Sequence, residues 1–474
     1  GLFCQPKRIN WRCRFSTLDP RKLLAPWQSP TRWARSQAPV RRTAETPTGD
    51  PHSLYEHLMS PPYKAKLDAA ASDIQSFERL TILVGASVRP DPNAGASGTI
   101  WQMNAALRRR GHLVDEIWAD ELGRRIHHGN LHCLLELPGA YSREVHKACA
   151  KQAYDVIELN QPHAFWASRD HLRRQRPGVF VNRSHGHETR SEEDLDSWRH
   201  QLGIRSNHGP LKIASGMIRR LLEWHWRSIA RTADGFVVSS VEDAEFLNSR
   251  YGVQQARIGL ITQGVPQAYL DRPVAPMNMA RLQRILYVGQ LAFFKAPHVL
   301  AESLNLILRK NANATATWVC GALHHPQAIQ MFSEDIRQRV TLVNWMDQAE
   351  LLPLLDDHGT FVFPSYFEGF DKAPLEAMAR GLCVTASNVG GMRDYIDDGV
   401  SGRLVPPGDA AVFANTALNL MSNVARATEM SRAARAVAEQ HTWDRCAADV
   451  EVFYRRLLSL KLPRVKARQS APTR

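Results

Sequence analysis

The sequence predicts an α/β protein in which two parallel-sheet domains face each other across a cleft. Three observations carry that expectation. Short apolar runs alternate with helical patterns along the chain, the alternation runs through two halves of similar size, and a proline-containing linker at 271–279 separates them. Such alternation builds βαβ units, because parallel neighbours need a crossover helix.

In the first half, strands are expected at 80–84, 155–159, 178–182, 235–239 and 258–261. The loop at 89–98 holds Pro90, Pro92, Gly95 and Gly98, and a helix follows through Gln102 and Leu107 to its stop at Gly111. Gly95 and Gly98 resemble a loose phosphate or sugar loop, although their spacing is not the G-x-G-x-x-G of dinucleotide folds. In the second half, strands are expected at 284–288, 315–320, 339–343, 360–363 and 382–386, with a helix at 298–310. A last helix at 441–460 follows the second domain. No repeat of the solenoid kind is present.

With 474 residues and 44% hydrophobic content, the chain has room for two or three domains. It lacks the roughly 18 uninterrupted apolar residues that a membrane-spanning helix needs. Seven cysteines without a C-x-x-C pair read as free thiols in a reducing compartment and argue against structural zinc. The net charge of +13 lies in the ends. Residues 1–51 hold ten Lys/Arg against three Asp/Glu, and residues 455–474 hold seven Lys/Arg and no acid. The span between is close to neutral, which speaks against a nucleic-acid partner, since that needs a basic stripe on the folded surface. Residues 1–51 read as a disordered basic extension, because Pro6, Pro20, Pro26 and Pro30 interrupt any transit-peptide helix. Residues 461–474 read as a basic tail. These ends solvate the chain or touch an anionic membrane. A cytoplasmic location follows, with peripheral contact at the inner membrane face as the further case.

The most informative stretch is FPSYFEGFDKAPLEAMARG, which carries Glu368 and Glu376 eight positions apart. The strand at 360–363 runs into a loop with Glu368, Gly369 and Phe370. Pro374 then suits a helix start, since its missing donor would be an orphan there anyway. Glu376 is expected in the first helical turn, and Gly381 closes the helix. Both carboxylates should face the crevice beyond the carboxyl ends of the strands, where open α/β sheets bind ligands. Lys295, near the mouth of the first strand of the second domain, is placed to neutralise a leaving diphosphate. His185, in Arg183-Ser-His-Gly-His-Glu188, ends a first-domain strand and suits a donor to a sugar hydroxyl or a proton carrier.

Other motifs read as structural. Asp194-Leu-Asp196 sits in a polar run with no strand before it and reads as a solvated loop. His127-His128 and His324-His325 lack further ligands, so no metal is expected. Residues 211–231 form a basic amphipathic helix with Trp224 and Trp226, read as a packed helix with a cationic face; interfacial membrane contact is the second reading.

Glu368-x7-Glu376 within EGF-x-x-x-P-L-E-A-M-A-x-G, followed by VGG and DGVSGRLVPPGD, resembles the retaining glycosyltransferases of family 4, which have the GT-B fold of two Rossmann-like domains. The resemblance extends through ILYVGQLAFFK, VTLVNWMDQAELLPLL and HTWDRCAADVEVFYRRLL, and more loosely through the SHGHE turn and RTADGFVVSSVEDAEFL. It implies an acceptor domain at 75–270, a nucleotide-sugar domain at 280–440 and a closing helix that crosses back to the first. It implies transfer of a hexosyl unit from a nucleoside diphosphate sugar to an acceptor hydroxyl, with retention and without a metal or other cofactor. Glu368, His185 and Lys295 would be catalytic. Gly98, Gln290, Lys295, Trp345, Met346, Phe370, Asp371 and Glu376 would bind the donor, with Glu376 on the ribose and the backbone of Asn344-Trp-Met346 at the base. The acceptor would be a glycan, a lipid-linked intermediate or a small molecule. Gln290 departs from the pattern, since the family commonly has an arginine there. The alternatives are a nucleotide-sugar epimerase, a phosphorylase or a non-catalytic binding protein of the same fold.

Overall fold

The computed structural model describes residues 79–204 and 210–469, so the 1–51 extension, with Cys4 and Cys13, lies outside the described residues. Two six-stranded sheets form, and every strand pairing within them is parallel. The first contains β1 (Thr81–Gly85), β2 (Leu113–Ile117), β3 (Val156–Asn160), β4 (Val179–Arg183), β5 (Gly235–Val238) and β6 (Ile258–Leu260), in the order β2-β1-β3-β4-β5-β6. The second contains β7 (Arg284–Val288), β8 (Thr315–Val319), β9 (Val340–Val343), β10 (Thr360–Phe363), β11 (Cys383–Ser387) and β12 (Arg403–Val405), in the order β12-β11-β10-β7-β8-β9. In the second sheet the chain builds outward from β7 through β9, then returns to the other side of β7 with β10. The switch point therefore lies between β7 and β10, and ligands of open α/β sheets bind at such a point.

The central strands read as predominantly apolar runs because helices cover both of their faces. Every residue of β3, β4, β5, β10 and β11 is buried. The sequence reading lacked two edge strands. β2 alternates exposed and buried residues and carries Asp115 and Glu116, while β12 has only three residues inside a turn-rich motif. Edges have one neighbour and less apolar cover, so their composition drifts towards that of loops.

Three local expectations need correction. Asp194-Leu-Asp196 lies on the helix Glu188–Gln201, not on a loop; Asp196 pairs with Arg199 at 2.7 Å, an i,i+3 contact that only a helical turn provides. The donor-side helix spans Lys372–Ala379 with Asp371 as its N-cap, the carboxylate accepting from the Ala373 amide at 2.9 Å. Pro374 is thus the third helical residue, and Glu376 falls in the second turn instead of the first. A capping aspartate sets a helix start more strongly than a proline that merely tolerates the first turn. The last helix runs Trp443–Gln469, past the expected end at 460, so the 461–474 tail begins inside it.

That last helix leaves the second domain and packs on the first. Trp443, Cys446, Val450, Phe453, Tyr454 and Leu457 join the cluster built on Ile82, Val84, Val156 and Val181. Beneath it, Glu158 on β3 receives Arg183 of β4 through Nε at 2.7 Å and Nη2 at 3.1 Å, and the Tyr454 hydroxyl donates to the same carboxylate. The Glu158 and Arg183 side chains are each 3% exposed. Among the described residues no helix is long and apolar enough to cross a membrane. The five described cysteines are free.

Removing one partner of a buried pair leaves an uncompensated charge, at a cost of about 3–5 kcal/mol. Glu158→Ala should therefore lower stability in urea unfolding by about that amount. Tyr454→Phe, which removes one hydrogen bond, should cost about 1–3 kcal/mol.

Candidate functional site

The loops after β7 and β10 meet at the switch point of the second sheet. The β7 loop ends in a short 3-10 turn, Phe293–Lys295, that carries Lys295 inward; Ala296 follows with φ 47° and starts the helix Pro297–Lys310. The β10 loop carries Glu368, Gly369 and Phe370 to the Asp371 cap. Lys295 Nζ lies 2.9 Å from Glu368 Oε1 and also pairs with Asp371 Oδ2. All three side chains are nearly inaccessible. One ammonium between two carboxylates would leave a buried net negative charge, which a low-dielectric site penalises. Burial pushes Glu368 up to about 8 against the pull of Lys295, while Asp371, although buried, is held below its ordinary range by that lysine and the Ala373 amide. Lys295 is raised: burial works against its charge, but the two acids outweigh that cost. The raised Glu368 and the lowered Asp371 together bring the cluster towards neutrality.

Glu376 lies a turn deeper on the same helix, 7% exposed. Burial lifts its carboxyl and Lys372 opposes the lift. Phe370 is buried against Tyr395, with ring centres 5.2 Å apart. Sequence reasoning missed Lys372, the first residue of this helix. Its Nζ donates to the Ala94 carbonyl of the first domain at 3.4 Å, and burial lowers its pKa. Its signal in the sequence was its place beside the cap.

The first domain meets this loop at His185. The His185 Nε2 lies 2.8 Å from Asn160 Oδ1, and the Asn160 amide nitrogen donates to the Gly85 carbonyl at 3.0 Å. A backbone carbonyl can only accept, so Asn160 turns its oxygen to the histidine and Nε2 carries the proton. Nδ1 is buried without a partner and offers a lone pair. Burial lowers His185 to about 3, with help from Arg183 and Lys372, so the ring is neutral. An acceptor nitrogen corrects the expectation of a donor to a sugar hydroxyl. His187 is packing: it stacks on Trp226 with centres 3.9 Å apart.

Glycine makes the meeting of the two domains possible. A Cβ on Gly369 would stand 2.3 Å from the His185 carbonyl oxygen of the first domain; within the second domain, one on Gly390 would stand 2.4 Å from the Glu368 carbonyl, with Gly390 at φ 56°. Beside them, Arg190 of the first domain donates to the Glu368 carbonyl at 3.0 Å, to Glu242 at 2.9 Å and to Asp243 at 2.8 Å, its guanidinium 4.4 Å from the centre of the Phe367 ring. Glu242 accepts from the Gly390 amide, and Asp394 accepts from the Val241 amide. Arg190 gave no sequence signal, because it sits in the first turn of a helix rich in charged residues. A cavity of about 510 Å³ opens beside this latch, lined by Arg190, Trp198, Glu242, Tyr366 and Arg393. Its lining does not include Lys295, Glu368 or Glu376, so that volume does not locate the carboxylate site.

The remaining expected residues are less tied to the cluster. The space of a Gly98 side chain is taken by the Pro92 carbonyl, 2.6 Å from an ideal Cβ, so this glycine serves the packing of its own loop. Gln290 is exposed at the end of β7. Trp345 is exposed and its amide is taken by Asn344 Oδ1 at 2.9 Å, while Met346 packs on the second-domain core. Asp371 has both oxygens engaged, by Ala373 and Lys295, which suits positioning better than direct donor contact. Among the described residues no group of three His, Cys, Asp or Glu side chains could hold a metal ion.

Residues 94–268 match the family model described as Glycosyltransferase Family 4, and residues 283–423 match the one described as Glycosyl transferases group 1. The chain belongs to these glycosyltransferases. A D-inositol 3-phosphate glycosyltransferase of Xylanimonas cellulosilytica is 27% identical over 237 residues, covering 46% of this chain and 56% of that protein. Glycogen synthase of Mycobacterium tuberculosis is 28% identical over 222 residues, covering 47% of this chain and 53% of that one. The chain thus spans about half the length of the curated relatives it matches. Sucrose-phosphate synthase from Thermosynechococcus elongatus superposes with a TM-score of 0.64 at 22% identity, covering 81% of this chain and 100% of that one. Anabaena Alr3699/HepE in complex with UDP-glucose gives 0.56 at 16% identity over 81% and 100%. These likenesses establish the fold, which is GT-B.

Two outcomes follow from the geometry of this site. In Gly369→Ala the new methyl meets backbone on the other domain, so the cleft should open, seen as a larger radius of gyration in small-angle scattering. An unchanged radius counts against the contact. Ring-nitrogen NMR should find His185 as the Nε2–H tautomer with no titration above pH about 4. Because its folded pKa lies below the unfolded value, its contribution to stability is whole above pH about 6.5 and is lost as pH falls towards 3.

Proposed function

We propose that this chain transfers a hexosyl unit from a nucleoside diphosphate sugar to an acceptor hydroxyl with retention of configuration. The observation that carries the reading is the Lys295–Glu368–Asp371 cluster at the β7/β10 switch point, whose loop meets the His185 backbone across the cleft at Gly369. Family membership and the UDP-glucose held by the Anabaena neighbour support the donor class.

The residues divide the work by charge. The leaving diphosphate gains negative charge as the glycosidic bond lengthens, and a preorganised cation lowers the barrier most where that charge develops. Lys295 supplies one cation. Lys372, at the N-terminus of the Lys372–Ala379 helix, supplies the charge that Gln290 does not, together with the amides of that helix end. Glu376 accepts hydrogen bonds from the ribose. Met346 and its neighbours meet the base, with the exposed Trp345 ring beside it. Glu368 lies against the reacting sugar, and its raised pKa keeps it neutral enough to donate to a hydroxyl. The unpartnered His185 Nδ1 accepts from another. The departing phosphate oxygen takes the proton of the incoming acceptor on the same face, so no carboxylate nucleophile is needed and no metal takes part. Retention, the sugar and metal independence all belong to this proposal.

Turnover is followed as released nucleotide over a mixed donor panel with stereochemistry read by proton NMR. Lys295→Ala and Glu368→Ala should each lower kcat by about 100- to 1000-fold, as expected for loss of a transition-state contact. Glu376→Ala should mainly raise the donor KM, by about 10-fold or more. Activity undiminished in both Lys295→Ala and Glu368→Ala, or an inverted product, would refute the reading. Nucleotide release without an acceptor would point to an epimerase, and dependence on inorganic phosphate to a phosphorylase.

A further inference from the structure

Away from the carboxylate site, the outer surface of the first domain presents an apolar and cationic face shared by three elements. On the helix Pro210–Thr232, the residues Ile213, Met217, Arg220, Trp224, Arg227 and Arg231 are all exposed. Their spacings of four and three put them on one stripe. Ile213 is 69% exposed, Met217 65% and Trp224 48%. The neighbouring helix Phe165–Arg173 packs against this one and exposes Trp166, Arg169, Leu172 and Arg173. The two surfaces are continuous: the Phe165 ring lies between both tryptophans, 4.8 Å from Trp224 and 5.8 Å from Trp166, centre to centre. Trp166 in turn covers Gly139, next to the π-helical turn His132–Glu136 that exposes Leu135.

Single exposed apolar side chains need no explanation, but a contiguous set rimmed by charge marks an interaction surface. Here the rim has one sign. Arg227 pairs with Glu223 at 3.0 Å, whereas Arg169, Arg173, Arg220 and Arg231 make no ion pair among the described residues. The nearby acids are occupied elsewhere, Asp170 by Arg174 and Arg176, and Glu223 by Arg227 and Arg250. A second copy of the chain is a poor occupant, because a two-fold contact would set these free arginines against themselves. A surface with fixed negative charge and a shallow apolar layer matches both features: arginines pair with the lipid phosphates while tryptophan, isoleucine and methionine enter the headgroup boundary.

We propose that this glycosyltransferase docks on an anionic lipid bilayer through the outer face of the helices Phe165–Arg173 and Pro210–Thr232. The proposal does not rest on the transfer reaction, and its test needs no turnover. The full chain is sedimented at low ionic strength with phosphatidylcholine vesicles, alone or containing phosphatidylglycerol, and tryptophan quenching by brominated lipid is read in parallel. The wild type should bind the anionic vesicles about tenfold or more above the zwitterionic ones, with quenching. Two variants change only exposed residues: Arg169→Glu/Arg173→Glu/Arg220→Glu and Ile213→Ser/Met217→Ser. Each should lose most of that binding at an unchanged thermal midpoint and circular dichroism. No binding by the wild type, equal binding to both vesicle types, or variants that bind as well as wild type would overturn the proposal. The last result would assign any attraction to the basic ends instead. A concentration-dependent dimer abolished by these substitutions would also overturn it, making the face a contact between copies.

Discussion

A lysine buried between two carboxylates is the constraint on which the rest of the second domain is arranged. Burying Lys295 is costly on its own, and each partner offsets that cost only if it is held at contact distance. The fold holds them by topology. Lys295 follows β7 and Glu368 follows β10, which are neighbours because the order of strand addition reverses there while the strands stay parallel. Asp371 then serves twice, fixing the start of the Lys372–Ala379 helix with one oxygen and Lys295 with the other. The same residues thus determine where the helix begins and how the charge is shared.

The first domain depends on the second through backbone as much as through side chains. Gly369 against His185 allows a packing distance between the domains that any side chain would forbid, and Gly390 against the Glu368 carbonyl lets two loops of the second domain close beside it. The Arg190 latch adds charge-assisted hydrogen bonds across the same seam, and the Trp443–Gln469 helix ties the second domain to the back of the first through Tyr454 and Glu158. One contact lies at the cleft and the other behind the sheet, so the interdomain geometry is held from two sides.

The parts legible in the sequence were those whose signal is local. A strand covered on both faces is mostly apolar, with polar residues such as Glu158 and Arg183 buried only as a pair, so β3, β4, β5, β7 and β10 were visible as runs. The carboxylate pair was visible because a loop, a proline and two glycines frame it. β2 and β12 were not visible, since edge strands keep polar residues and short lengths. Asp194 and Asp196 read as loop because the helix is mostly charged and its short apolar stripe, Leu195, Trp198 and Leu202, is set among acids and arginines. Arg190 and Lys372 were missed for a different reason. A charged residue in a charged run looks like a solvated face until its partners, distant in sequence, are known.

By itself the sequence determined the fold class, the family and the chemical identity of the acidic pair, because these depend on periodicity and on motifs a few residues long. Only the tertiary structure decided the electrostatics and placement of the site: that two acids share Lys295, which nitrogen of His185 is free, and that Glu376 lies a turn deeper than the helix start implied. Those properties come from burial and from contacts between segments far apart in the chain, and no local pattern encodes the distance between two loops that meet across a cleft.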